Sequence, residues 1–187
     1  RRCVGKLGQL ERLLRNSPVT GQTGIGHTRW ATHGRPSDEN AHPHRAGRIV
    51  LIHNGIIENY LALRASLVEG GRELTSDTDT EIISHLIDEL MELGYGFEEA
   101  TRAAVRKLQG SFAILVMCEN EPGRILAAKS ATPIVLGLGE GEQFIASDVP
   151  ALLDHTREVI FLEDGEIADV TCAGVRISRF DGTPVER

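Results

Sequence analysis

Arg29, Trp30 and five histidines (His27, His33, His42, His44, His53) fall within positions 26–60, interleaved with glycines and short apolar runs. The stretches that hold them are Gly26-His27-Thr28-Arg29-Trp30-Ala31-Thr32-His33-Gly34, Asn40-Ala41-His42-Pro43-His44 and His53-Asn54-Gly55-Ile56-Ile57-Glu58-Asn59-Tyr60. Donors and aromatics at this density mark loops that carry a site. Acyl transfer is one chemistry they could serve. It needs an attacking group, a base, donors for a tetrahedral oxyanion and a grip on the substrate. Asn54-Gly55 follows the apolar run 49–52, where a side-chain amide and the next backbone N–H can converge on one oxygen. Taken alone, the pair reads equally as a plain hairpin turn. Arg29 can hold a carboxylate through two parallel hydrogen bonds, or form a surface ion pair. Asp79, at the start of a helix, either complements the helix N-terminus or faces an ammonium group. An α-amino acid offers both charges, so Arg29 with Asp79 would recognise one.

The attacking group is harder to find. Cys118 ends an apolar run, Cys172 sits at a hairpin, and Cys3 lies in a basic segment away from the glycines. No two cysteines are close-spaced, which speaks against both a zinc site and a disulfide framework. A Gly-x-Ser-x-Gly elbow is lacking too. The histidines invite a metal reading, but no two stand at helical i, i+4 spacing, and Pro43 interrupts His42 and His44. The expectation is therefore no metal and no cofactor. Residues alone yield a substrate cage without its nucleophile.

The elements that must position this cage are legible from periodicity. Positions 1–16 read as a strand end and a short basic helix, and 49–52 as a buried strand stopping at the Asn54-Gly55 turn. Positions 61–68 read as a helix stopped by Gly70-Gly71. Thr78-Asp79-Thr80-Glu81 matches a capping box, followed by apolar residues at helical spacing as far as Gly94. A third helix spans 97–109 and closes at Gly110. Short apolar strands follow at 111–118, 124–129, 134–138, 143–147, 158–162, 166–172 and 175–180, with a helical turn near 151–154. Neighbouring strands joined by short turns pair antiparallel, so two sheets covered by the long helices give an α+β sandwich in a single domain, 1–187.

With 187 residues, 41% hydrophobic and 25% charged, the chain can bury a sizeable core. Its net charge of −7 argues against nucleic acid or an anionic membrane as partner. No apolar run is long enough to span a bilayer, and no signal peptide is visible, so a cytoplasmic setting is expected.

The motifs Gly26 to Gly34, Asn40 to His44, His53 to Tyr60, Ser76 to Glu81 and Ala146-Ser147-Asp148 resemble, in order, those of class II glutamine amidotransferase domains. These are N-terminal-nucleophile hydrolases. The resemblance runs from about Val4 to the C-terminus. His-Pro-His after Asn40-Ala41, and Ile-Ile-Glu-Asn after Asn54-Gly55, narrow it to amidotransferases that feed a C-terminal sugar-phosphate isomerase domain. It implies a four-layer α-β-β-α sandwich of antiparallel sheets and hydrolysis of L-glutamine to glutamate and ammonia. The ammonia would convert fructose 6-phosphate to glucosamine 6-phosphate in a homo-oligomeric enzyme. By resemblance, Arg29 would bind the glutamine α-carboxylate with help from Thr32 and the backbone of His33. Asp79 would hold the α-amino group, and Asn54 and Gly55 would form the oxyanion hole. Trp30 and His42 would lie beside the substrate.

Such domains open with a cysteine whose thiol attacks and whose α-amino group is the base, followed by Gly-Ile. Here the sequence opens Arg1-Arg2-Cys3, and Cys3 matches an interior position of the family pattern. An N-terminally truncated domain is expected, its first strands and nucleophile lying ahead of Arg1. A polypeptide starting at Arg1 would then be inactive and poorly folded. The alternative is a catalytically silent glutamine-binding or interaction module, which would keep the cage and need no cysteine.

Overall fold

The computed structural model describes residues 1–30 and 34–187. Helix α1 (Leu7–Asn16) comes first, then strands β1 (His44–Ala46) and β2 (Ile49–Ile57). Helices α2 (Tyr60–Glu69), α3 (Asp79–Glu92) and α4 (Phe97–Val105) form a consecutive group. Strands β3 (Gly110–Cys118), β4 (Arg124–Ser130), β5 (Val135–Leu138) and β6 (Gln143–Ala146) lead to a 3₁₀ turn, Val149–Ala151. Strands β7 (Val159–Phe161), β8 (Glu166–Thr171), β9 (Gly174–Arg179) and β10 (Pro184–Val185) complete the order.

Two antiparallel sheets result, one of seven strands ordered β1-β2-β3-β4-β8-β9-β10 and one of three ordered β6-β5-β7. Side chains alternate across the larger sheet as strand geometry requires. Phe112, Ile114, Val116 and Cys118 of β3 point to a core shared with Ile82, Ile83, Leu86 and Ile87 of α3 and with Phe97 and Ala104 of α4. Ala113 and Leu115, from the same strand, point the other way and pack with Leu136 of β5 and with Leu162. The outer side of the small sheet is met by the turn after β6. Leu152 and Thr156 lie so close to Gly137 that a Cβ there would come within 2.8 Å of Thr156. The layers run helices, sheet, sheet and short turn, an α+β sandwich as expected. No helix among the described residues is long and apolar enough to cross a membrane.

Several local expectations need correction. Asn54-Gly55 is not a turn. β2 continues through it to Ile57 in register with β3, pairing Asn54 with Ala113 and Gly55 with Phe112. Tertiary pairing overrides the turn preference of Asn-Gly, and Gly55 keeps only its left-handed φ of +124°. A Cβ at Gly55 would stand 2.0 Å from the Ser111 carbonyl oxygen, and one at Gly110 2.3 Å from that of Ile56. The two strands therefore approach at a distance only glycine permits. Gly110 opens β3 rather than capping α4, which stops at Val105. No strand forms around Cys3 and Val4.

The capping box is half realised. Thr78 Oγ1 accepts the Glu81 N–H. Glu81 does not return to the Thr78 amide. Its carboxylate turns to the preceding segment, accepting the Thr75 and Ser76 N–H groups at 2.9 and 2.7 Å and both their hydroxyls. Burial would raise its pKa, but bonds from His85, Thr75 and Ser76 hold it well below the usual carboxylate range. Glu81→Ala would strand these buried donors. The expected loss in the full-length protein is about 2–4 kcal/mol by urea unfolding at pH 7; a loss under about 0.5 kcal/mol would mean that water replaces the carboxylate.

Candidate active site

Beyond Leu51, the last residue of β2 paired to β1, that edge of β2 has no strand neighbour among the described residues. The first turn of α3 occupies the space. Asp79 Oδ2 accepts the Ile57 N–H at 2.9 Å, and its Oδ1 lies 3.9 Å from His53 Nδ1. Thr80 Oγ1 bridges two rings, at 3.0 Å from His42 Nε2 and 3.2 Å from His53 Nδ1. Thr78 Oγ1 lies 3.1 Å from His44 Nε2. One helix terminus thus organises three histidines carried by β1, β2 and the loop before them.

A cavity of about 650 Å³ opens beside this junction. Its walls include His27, Arg29 and Trp30 from the loop before residue 31, His42, and His53, Asn54 and Gly55 of β2. Asp79 and Thr80 of α3, Ser111 of β3, Pro133, and Ala146-Ser147 at the end of β6 complete it. Of the residues expected from sequence, Arg29, Trp30, His42, Asn54, Gly55 and Asp79 all meet here. Thr32 and His33 lie outside the described residues. Arg29 donates to the carbonyls of Gly34 (2.9 Å) and Arg35 (3.3 Å), which fixes the guanidinium at the rim. Trp30, 92% exposed, stands at the mouth. None of the three cysteines lines the cavity: Cys118 is buried in the helix-side core and Cys172 is exposed.

Residue-by-residue reading passed over His27, His53 and Thr80 as named site members. His27 Nε2 lies 2.7 Å from Asn54 Oδ1, and its ring packs 4.0 Å from that of His42. With the strand expected to stop at a turn at Asn54-Gly55, nothing in the sequence indicated that His53 and Asn54 both reach the cavity. Among the described residues no three His, Cys, Asp or Glu side chains are disposed to hold a metal; the rings of His27, His42 and His44 meet tilted or edge-on and bond to the Asn54 amide and to threonine hydroxyls.

Three of these rings, those of His27, His42 and His44, are pushed toward the neutral form. Burial, then the neighbouring His27, His44, His53 and Arg29, pushes His42 down to about 2. Burial likewise brings His44 down to about 4, against the pull of Glu81. Burial also lowers His27, opposed by its bond to Asn54. Among the described lining residues, the charged side chains are Arg29 and Asp79.

Set against known proteins, the geometry finds company. The family model described as a glutamine amidotransferase domain matches residues 27–154. The chain belongs to this family of glutamine amidotransferase domains. It is similar to glutamine–fructose-6-phosphate aminotransferase (isomerizing) from Symbiobacterium thermophilum, 50% identical over 97% of the chain and 30% of that protein. The enzyme of that name from Thermococcus kodakarensis is 48% identical over 100% of the chain and 32% of its own length. The chain spans about a third of the curated relatives it matches. Among solved structures, the glutamine phosphoribosylpyrophosphate amidotransferase of B. subtilis superimposes with a TM-score of 0.68 at 25% identity. That match covers 82% of this chain and 34% of the other.

A pH dependence of stability follows from the neutral rings. Unfolded histidines titrate near 6.5, above the depressed folded values of His42 and His44. Between those values the unfolded chain binds more protons, so stability is full above 6.5 and falls as pH drops below it. The urea midpoint of the full-length protein is expected to fall between pH 7 and 4.5, and less so in His44→Gln. A midpoint flat over that window would mean the rings are not buried in neutral form.

Proposed function

We propose that the cavity binds L-glutamine and that the chain carries the amide-hydrolysing part of an enzyme that passes ammonia to a sugar phosphate. The observation supporting this is convergence. Arg29, Asp79 and the pair Asn54-Gly55 are far apart in sequence yet line one cavity, which thus carries a cation and an anion. Arg29 takes the α-carboxylate, helped by Thr32 and His33, and Asp79 takes the α-amino group. Trp30 and His42 flank the side chain. The carboxamide then points toward Asn54 and Gly55, whose amide N–H groups receive the oxyanion. By alternation along β2, Gly55 shares with Ile57 the edge turned away from β3.

The attacking group is none of Cys3, Cys118 or Cys172. The family resemblance assigns it to a cysteine ahead of Arg1, whose free α-amino group takes the thiol proton. The thiolate adds to the amide carbon, and that proton leaves with ammonia as the C–N bond breaks. Water then hydrolyses the thioester to glutamate. The names of the relatives support fructose 6-phosphate as the destination of the ammonia; the family resemblance adds a C-terminal isomerase domain and a cytoplasmic homo-oligomer to this reading. None of the three cysteines is among the residues lining the cavity, and this favours a second reading, a silent glutamine-binding module.

The tests use the full-length protein and follow ammonia release. Arg29→Ala is expected to raise the glutamine KM by roughly two orders of magnitude, ~2–4 kcal/mol for a lost bidentate ion pair, and Asp79→Asn to act in the same direction. An unchanged KM in both would remove the amino-acid cage. Asn54→Ala is expected to lower kcat on the order of 100-fold with little change in KM. Glutamine binding by calorimetry without any ammonia release would favour the silent module.

A further inference from the structure

An amide side chain can serve an oxyanion only if its NH₂ end faces the reaction, and nothing intrinsic to Asn54 decides which end does. Its own partner decides. Asn54 Oδ1 lies 2.7 Å from His27 Nε2. The other ring nitrogen, His27 Nδ1, is buried with no hydrogen-bond partner among the described residues. The two tautomers of His27 then have opposite consequences. With the proton on Nε2, the ring donates to Oδ1, the amide plane is locked, and the NH₂ end is left to donate elsewhere. With the proton on Nδ1, Nε2 becomes an acceptor that would draw the NH₂ end of Asn54 toward itself. The Asn54 atom that faces Nε2 is Oδ1, which can only accept, so the first arrangement is the one the structure holds. The ring is itself held in place, packed at 4.0 Å against His42, which Thr80 anchors at 3.0 Å.

Resting on the glutaminase reading above, we infer that His27 is a positioning residue for that reaction: through its Nε2–H it orients the Asn54 amide so that Nδ2 meets the developing oxyanion. It touches no reacting atom in this role. Its effect should therefore appear in kcat, pass entirely through Asn54, and depend on a donor at the Nε2 position rather than on a ring.

The experiment is a double-mutant cycle on the full-length protein, reading kcat and KM for glutamine. Asn54→Ala tests the underlying reading: if it leaves kcat unchanged, the oxyanion assignment fails and takes this inference with it. Given a loss there, His27→Leu is expected to lower kcat on the order of tenfold with KM within about twofold. His27→Leu in the Asn54→Ala background should add nothing further, since the group it orients is gone. His27→Gln, whose amide nitrogen reaches the Nε2 position, should recover most of kcat, whereas His27→Asn, which reaches only the Nδ1 position, should not. Full kcat in His27→Leu, or losses that multiply in the double mutant, would overturn the inference while leaving the oxyanion hole intact. Should His27→Leu fail to melt cooperatively, the comparison of Gln with Asn decides alone, and equal kcat in those two variants overturns it.

Discussion

The first turn of α3 carries three polar side chains into places where water cannot follow, and most of the site depends on how each is satisfied. Asp79, Thr80 and Glu81 are all nearly inaccessible. Unpaired buried carboxylates would be prohibitive, so their bonds dictate geometry. Asp79 closes the open edge of β2 at Ile57. Thr80 sets two histidine rings. Glu81 gathers Thr75 and Ser76 into the turn that precedes the helix. The helix N-terminus also favours negative charge at this end, so the same acids serve the backbone and the cavity.

Neutral histidines are the second consequence. Charged imidazoles at His42 and His44 would weaken any attraction the cavity holds for an ammonium group and would repel Arg29. Burial lowers the pKa of both rings, so the cavity keeps the charges of Arg29 and Asp79. Hydroxyls rather than carboxylates tie down the rings of His42 and His44. That choice matters, because a carboxylate partner would raise their basicity.

The sandwich supplies rigidity where the chemistry requires it. Asn54 and Gly55 sit in the ladder between β2 and β3, not on a flexible loop, and loop-borne donors are held less accurately than strand-borne ones. On the far side of α4, Arg124 of β4 bonds both Asp169 of β8 and Glu98 of α4, at 2.7 and 2.8 Å. The helix layer and the sheet are thereby joined away from the cavity, while Arg29 and Trp30 come from a segment outside the regular elements, where Arg29 is tied to the carbonyls of Gly34 and Arg35.

Periodicity alone was enough for α3, for its Thr78 cap and for most strands of the two sheets, because alternation and helical spacing are local properties of the chain. Arg29, Asp79 and Asn54-Gly55 suggest an amino acid and an oxyanion by their charges and donors before any fold is known, and the structure brings these residues to one cavity. Local reading failed where long-range contacts outweigh propensity. Asn-Gly favours a turn, yet nine residues of β2 pair continuously with β3 through it. Glu81 fits a capping box, yet two amides and two hydroxyls upstream compete for its carboxylate and win. Which side chains meet could come only from the tertiary structure. His27 and Asn54 are separated by twenty-seven positions, and no pattern in the sequence links a loop to a strand at that distance. Side-chain partners are chosen by packing, and packing is a property of the whole chain.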